Sequence, residues 1–253
     1  MTMVRSLLFA VVFYSWSAVL CPLYVPFMLL PRRRFWFLAW TWVRSCLVLV
    51  EVVAGIRYEV RGRENLPPSP FIIASKHQSA WDTLIYNKLF EDCAYVLKRE
   101  LFWFPCFGWF LWRIGMVGID RAGGAKALKS MIREARDRLA AGRDIIIFPQ
   151  GTRTPPGAER RYLPGVSALY MQAGRPVVPV ALNSGMFWPR RRFLKRPGVI
   201  VLEILPPIAP GLARREFEAT LRERIEPATR RLEAEAAARF GIALPAPAQT
   251  QNA

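Results

Sequence analysis

The chain contains one histidine, His77, and an aspartate follows it five positions later, Asp82. An imidazole, ordinarily titrating at about pH 6.5, is the natural side chain to take a proton from a hydroxyl near neutrality. A paired carboxylate would hold one ring nitrogen as N–H, leave the other free, and stabilise the imidazolium that forms. In a continuous helix, residues five apart point about 140° away from each other, so this pair could not meet. A strand-turn-helix segment removes the difficulty. Phe71–Ala74 reads as a strand and Ala80–Phe90 as a helix, which puts His77 on the turn and Asp82 in the first helical turn. The same residues also permit a structural role, because Ser79-Ala80-Trp81-Asp82 has the spacing of a helix capping box.

Three further blocks have residues suited to binding. Gly118-Ile119-Asp120-Arg121 follows a helical stretch; Phe148-Pro149-Gln150-Gly151-Thr152-Arg153-Thr154 follows the apolar run Asp144–Phe148; Val178-Pro179-Val180 lies in a third buried run. In an open α/β sheet, ligands sit beyond the carboxyl ends of the strands, where these loops would gather. Arg121 and Arg153 are then candidates for a bidentate clamp on a phosphate. Gly151 permits close backbone approach, and Thr152 offers a hydroxyl and an amide. The plainer reading makes Asp120–Arg121 a local ion pair and Arg153 a solvated residue.

The elements that must position these residues alternate between short β-branched runs and helical stretches, the pattern of an α/β sheet. Strands are expected at Arg57–Arg61, Phe71–Ala74, Ala94–Leu97, Asp144–Phe148, Val177–Leu182 and Val199–Leu205. Helices are expected at Ala80–Phe90, Glu100–Ile114, Ala125–Ala141, Pro164–Ala173 and Arg214–Phe240, the last with a kink at Pro227. The fold class is therefore α/β, a mixed, largely parallel sheet flanked by helices, carrying an N-terminal apolar helical membrane hairpin. Residues 1–56 form the anchoring hairpin, 57–240 the α/β domain, and 241–253, rich in Pro, Ala and Gln, a disordered tail.

The hairpin follows from composition. Apolar residues make up 53 % of the chain, yet the formal net charge is +17. A protein lying on an anionic bilayer uses both. Nucleic acid is the rival polyanion, but an apolar stretch rather than a basic helix dominates, so no nucleic-acid partner is expected. Ser6–Leu30 is uncharged and long enough to cross the hydrocarbon core, although Pro22 and Pro26 interrupt it; Phe35–Ile56 follows with a narrow polar stripe of Thr41, Arg44 and Glu51. Between them stand Arg32, Arg33 and Arg34, which by the positive-inside tendency belong on the cytoplasmic side. A hairpin dipping into one leaflet of the cell membrane from its cytoplasmic face satisfies this better than two crossings. A single crossing and a buried apolar subdomain are the alternatives. The four cysteines lack C-x-x-C pairing and, with one histidine, no metal site is expected.

Taken together and in this order, the four blocks closely resemble the 1-acylglycerol-3-phosphate O-acyltransferase family, over roughly residues 57 to 210. The resemblance implies that His77 is the general base and Asp82 its partner, within the family's N-H-x-S-x-x-D block. It implies a phosphate contact at Arg121, an acceptor-holding loop at Gln150, Gly151, Thr152 and Arg153, and the family's proline-bearing block at Pro179. The reaction implied moves a fatty acyl group from an acyl carrier protein or coenzyme A thioester to a lysophospholipid, with no cofactor or metal. Two positions depart from the pattern: Lys76 stands where Asn is common, and Gln150 where the family has Glu. Gln150 keeps shape and hydrogen-bonding capacity but loses the charge, which admits another acceptor such as lyso-ornithine lipid. A catalytically inactive membrane adaptor on the same fold is the alternative of another class.

Overall fold

In the computed structural model, which describes residues 2–244, the chain builds a seven-stranded sheet. The strands are β1 (Ile56–Arg61), β2 (Ile72–Ser75), β3 (Ala94–Lys98), β4 (Val117–Ile119), β5 (Ile145–Ile147), β6 (Val177–Leu182) and β7 (Gly198–Ile204), in the order β1-β7-β6-β2-β5-β3-β4. All neighbours pair parallel except β6 and β7. This is the mixed, largely parallel sheet expected. Successive residues of β2 face opposite sides, and all four are buried, so helices cover both faces at the sheet centre.

The helices are α1 (Thr2–Tyr24), α2 (Arg32–Val52), α3 (Asp82–Leu89), α4 (Phe107–Arg113), α5 (Gly124–Ala140), α6 (Pro164–Ala173) and α7 (Arg214–Phe240). Helix α5 buries Met131, Ile132, Ala135 and Leu139, one stripe of an otherwise polar surface. Helix α7 buries Phe217, Leu221, Ile225 and Leu232 at a spacing near four and continues through Pro227. Each such apolar side chain stabilises the fold by about 1.5–3 kcal/mol.

Two expectations change. The helix read over Glu100–Ile114 is a 3₁₀ stretch, Arg99–Trp103, followed by α4. Pro105 supplies no amide at the break, and Cys106 takes a positive φ of 59°. Gly108 permits the fold-back: a Cβ there would lie 2.4 Å from the Phe102 carbonyl oxygen. Strand β4 was not foreseen, because three residues are too few to display an alternation.

The apolar hairpin forms from α1 and α2, joined by a 3₁₀ turn, Pro26–Leu29. Both its ends are fastened to the rest of the chain. At the open end the Lys195 amide donates to Ser6 Oγ at 2.9 Å, while Arg5, donating to the Val53 carbonyl at 3.0 Å, closes the hairpin on itself. At the turn Arg32 forms a bidentate pair with Asp92 at 2.5 and 2.7 Å, and Arg113 donates to Met28 O at 2.8 Å. The hairpin therefore lies along the α/β domain. Its outer face stays open: of α1, only Ser6 and Phe9 are buried. Most of the tail expected from residue 241 lies outside the described residues.

Candidate active site

Strand β2 ends at Ser75, and the Lys76 amide still pairs with Val180 O of β6 at 2.9 Å before the chain turns. His77 sits on that turn and Asp82 opens α3, as the spacing required. His77 Nδ1 lies 2.9 Å from Asp82 Oδ2. The same oxygen accepts the amides of Gln78 at 2.7 Å and Ser79 at 2.8 Å. One carboxylate oxygen thus both caps the turn and orients the ring, so the two roles read from the sequence coexist. An acceptor carboxylate assigns the proton to Nδ1 and leaves the Nε2 lone pair available. The Phe148 ring stacks on the imidazole, with centroids 4.0 Å apart and planes 17° from parallel. Carboxylate and aromatic face together leave the ring little rotational freedom, and it keeps 13 % side-chain exposure.

The loop after β5 docks directly on this turn, because the Thr154 amide donates to the His77 carbonyl at 2.7 Å. That bond brings Thr152 and Arg153 beside the imidazole. Gly151 in the loop has φ +63°; a Cβ there would come within 2.3 Å of Leu163 Cδ1 and 3.7 Å of Arg121 Cζ. Glycine suits the left-handed backbone and the close packing of Leu163, while Arg121 lies at ordinary contact distance from this position. Arg190 donates to the Arg153 carbonyl at 3.0 Å and joins the cluster. Burial lowers the pKa of Arg121, opposed by Glu100. Burial also lowers that of Arg190, followed by the charges of Arg191, Arg153 and Arg160. These guanidiniums remain cations, and among the described residues none of Arg121, Arg153 and Arg190 forms a salt bridge. Three guanidiniums gathered with no carboxylate in salt-bridge contact suit an anionic ligand.

A cavity of about 850 Å³ joins these features. His77, Phe148, Gly151, Thr152, Arg153, Arg121 and Arg190 line it at one end; aromatic and aliphatic side chains of α1, α2 and α4, among them Phe13, Trp36 and Phe107, line the rest. The volume is that of a small-molecule site, and its division into a cationic end and an apolar end is that of an amphiphile's pocket.

Gln150 and Pro179, expected as binding residues, do not line the cavity. Pro179 is within β6, in register with Ala74, with its ring in the sheet. Gln150 turns toward α7, where its amide lies 3.4 Å from Glu226 Oε1. Glu226 also accepts Tyr162 OH at 2.8 Å and Lys76 Nζ at 2.6 Å. The two departures from the family pattern, at 76 and 150, therefore meet at one buried carboxylate. A neighbouring bond, Gln78 to Glu233 at 2.5 Å, attaches the catalytic turn to α7 a second time. Burial raises the pKa of Glu233, opposed by the Gly157 amide, Gln78 and Lys76. Gln78 and Ser79 donate their turn amides to Asp82, so these two amides are committed and not free to receive an oxyanion.

Sequence reasoning gave no separate role to Phe148 and did not place Arg190 beside Arg153. An aromatic at the end of a central strand, abutting the Gly-Thr-Arg loop, is the signal by which Phe148 could have been found. Nothing local pointed to Arg190 or to Glu226, which reach the site through tertiary packing.

The acyltransferase family model matches residues 57–183, starting where the hairpin gives way to the sheet. The chain is 44 % identical over 175 residues to the 1-acyl-sn-glycerol-3-phosphate acyltransferase of Pseudomonas aeruginosa, covering 69 % of this chain and 68 % of that one. It is 32 % identical over 169 residues to the human 1-acyl-sn-glycerol-3-phosphate acyltransferase alpha, covering 66 % of this chain and 60 % of the human protein. Its fold matches the crystal structure of the 1-acyl-sn-glycerophosphate (LPA) acyltransferase PlsC from Thermotoga maritima. There the TM-score is 0.74 at 25 % identity, over 95 % of this chain and 99 % of that one. The shared sequence begins at the sheet and contains His77, Asp82 and the loop that docks on them; the chain is an enzyme of the acyltransferase family, related to the 1-acyl-sn-glycerol-3-phosphate acyltransferases.

Proposed function

We propose that the protein is a membrane-bound O-acyltransferase that moves a fatty acyl group from a thioester of acyl carrier protein or coenzyme A to the sn-2 hydroxyl of lysophosphatidic acid. The product is phosphatidic acid. The observation that carries this reading is that His77 lines one cavity together with Arg121 and Arg153 and with apolar side chains of α1, α2 and α4. A lysolipid bound with its chain in the apolar end and its phosphate on Arg121 and Arg153 presents its hydroxyl near the imidazole. His77 Nε2 takes the hydroxyl proton while the oxygen attacks the thioester carbonyl; the new C–O bond forms and the C–S bond breaks. The imidazolium, stabilised by Asp82, returns the proton to the departing thiolate. No covalent acyl-enzyme is needed, and an activated thioester with a base in place calls for neither metal nor redox cofactor.

The names carried by the relatives support the acceptor. The doubt about the acceptor came from Gln150, and that side chain faces Glu226 outside the cavity. The phosphate reading therefore stands on Arg121 and Arg153. The open apolar face of α1 and the exposed Arg33 and Arg34 support a hairpin lying in the cytoplasmic leaflet of the cell membrane. Purified protein offered lysophosphatidic acid or lyso-ornithine lipid, each with acyl carrier protein and coenzyme A thioesters, is expected to form phosphatidic acid. Acylation of lyso-ornithine lipid alone would overturn the acceptor assignment.

A further inference from the structure

The segment between β3 and β4 carries an unusual surface. Trp103, Phe104, Trp109 and Trp112 are 74, 58, 45 and 69 % exposed, within ten residues of one another. Large aromatics at such density are rarely left to water on a soluble face, and Trp is the residue enriched at the bilayer interface. The patch is continuous with the apolar hairpin. Phe110 packs on Phe35 of α2 with centroids 5.3 Å apart, and Phe107 lies 6.3 Å from Trp42 of the same helix.

Charge complements it. Trp112 borders a second cavity, of about 360 Å³, also lined by Arg32, Arg113, Arg138 and Arg143. Asp92, paired with Arg32 and Arg143, is the carboxylate that meets these four in a salt bridge among the described residues. Arg138 and Arg113 spend their bonds on backbone carbonyls, at Gly115 and at Met28 and Leu30, so their charge is not cancelled. Basic side chains gathered beside interfacial tryptophans are the chemistry of an anionic headgroup site.

We infer that the segment Arg99–Arg113 is a membrane-inserting face of the catalytic domain itself, seating its aromatics at the headgroup level of an anionic leaflet with the arginine cavity over a lipid phosphate. This rests on the membrane reading above and extends it. The hairpin is then not the sole anchor, and the active-site cavity, lined by residues of α1, α2 and α4, is held at the depth where a lysolipid lies.

The test uses the full chain with vesicles of phosphatidylcholine alone or with phosphatidylglycerol, the acyl chains brominated near the headgroup. The W103F/W109F/W112F variant removes three of nine tryptophans while keeping the face apolar. Wild-type fluorescence should be quenched and the variant should lose a corresponding share of that quenching. An identical quenched fraction in both would overturn the inference. Arg138→Gln should reduce the preference for anionic over neutral vesicles by about fivefold, and an unchanged preference would remove the arginine cavity from the proposal. The W103S/W112S variant should raise the KM for a vesicle-presented acceptor by about tenfold and leave that for a water-soluble short-chain acceptor unchanged. A rise in the donor KM alone, with quenching unaffected, would make this face a docking site for the acyl donor protein and refute the lipid assignment. If wild-type protein does not bind vesicles at all, the membrane reading itself fails.

Discussion

Lys76, the residue before His77, places its ammonium 2.6 Å from the Glu226 carboxylate, with side-chain exposures of 1 and 4 %. The ion pair ties the catalytic turn to α7, 150 positions further along the chain. Desolvating two charges is costly, and what keeps them is the rest of the network: Tyr162 and Gln150 on Glu226, and the Ala158 carbonyl on Lys76. The neutral Gln150 fits this cluster, because a glutamate there would add a third carboxylate to Glu226 and Glu233 around one lysine.

Breaking that pair on one side leaves a buried charge unmatched. Glu226→Ala is expected to cost about 3–5 kcal/mol of stability. The double variant K76M/E226M should recover most of the loss, since both charges go together. Denaturant titration of the two variants measures the difference, and equal destabilisation would refute the coupling. Because Lys76 adjoins His77, Glu226→Ala should also lower kcat more than it raises either KM.

His77→Ala is expected to reduce kcat by about 10²–10⁴-fold or more while the protein stays folded. Asp82→Asn should approach that loss, because an amide at 82 no longer holds the Nδ1–H tautomer and leaves two turn amides less well accepted. Circular dichroism separates loss of chemistry from loss of fold. Full activity in H77A would remove the base assignment.

Arg153→Ala and Arg121→Ala should each raise the acceptor KM by about tenfold or more with little effect on that of the donor, the signature of lost phosphate binding. Steady-state kinetics with each substrate varied separately checks this. An unchanged acceptor KM in both variants would move the phosphate elsewhere.

Gly151→Ala should impair activity more than stability. The added methyl meets Leu163 at a backbone with φ +63°, so the loop that docks on the His77 turn is strained. An active G151A enzyme with wild-type KM values would show that the left-handed turn at 151 is not needed for the site.

Asp144 offers a pH test away from the site. Its carboxylate accepts Ser69 Oγ at 2.7 Å and the Phe71 amide at 3.0 Å, but burial outweighs these bonds and raises its pKa above the usual aspartate value. The folded state then holds this proton to higher pH than the unfolded chain does. Its contribution to stability is therefore greatest in acid and declines as pH rises from the ordinary aspartate range through the raised value. Asp144→Asn keeps the oxygen acceptor and should flatten that decline, seen as a smaller difference in Tm between the acid and neutral ends. An unaltered pH profile would exclude the residue as its source.

The sequence by itself determined what is local and contiguous. His77 and Asp82 could be paired because a strand, a turn and a helix start within a dozen residues leave one geometry that joins them. The Gly-Thr-Arg loop was legible for the same reason, and so was the hairpin, whose apolar length needs no partner to be recognised. Tertiary structure alone decided the rest. Glu226 and Glu233 read as ordinary positions on the polar side of a long helix; their burial exists because α7 packs behind the catalytic turn. Arg190 reaches the cavity only when the segment after β6 folds over the loop at Arg153. The reversal at Phe104-Pro105-Cys106, the strand β4 and the arginine cavity likewise depend on what each segment meets. A one-dimensional pattern reports which face of an element avoids water, not which distant element will cover it, and here that second choice set which charges face the substrate and which are shut away from it.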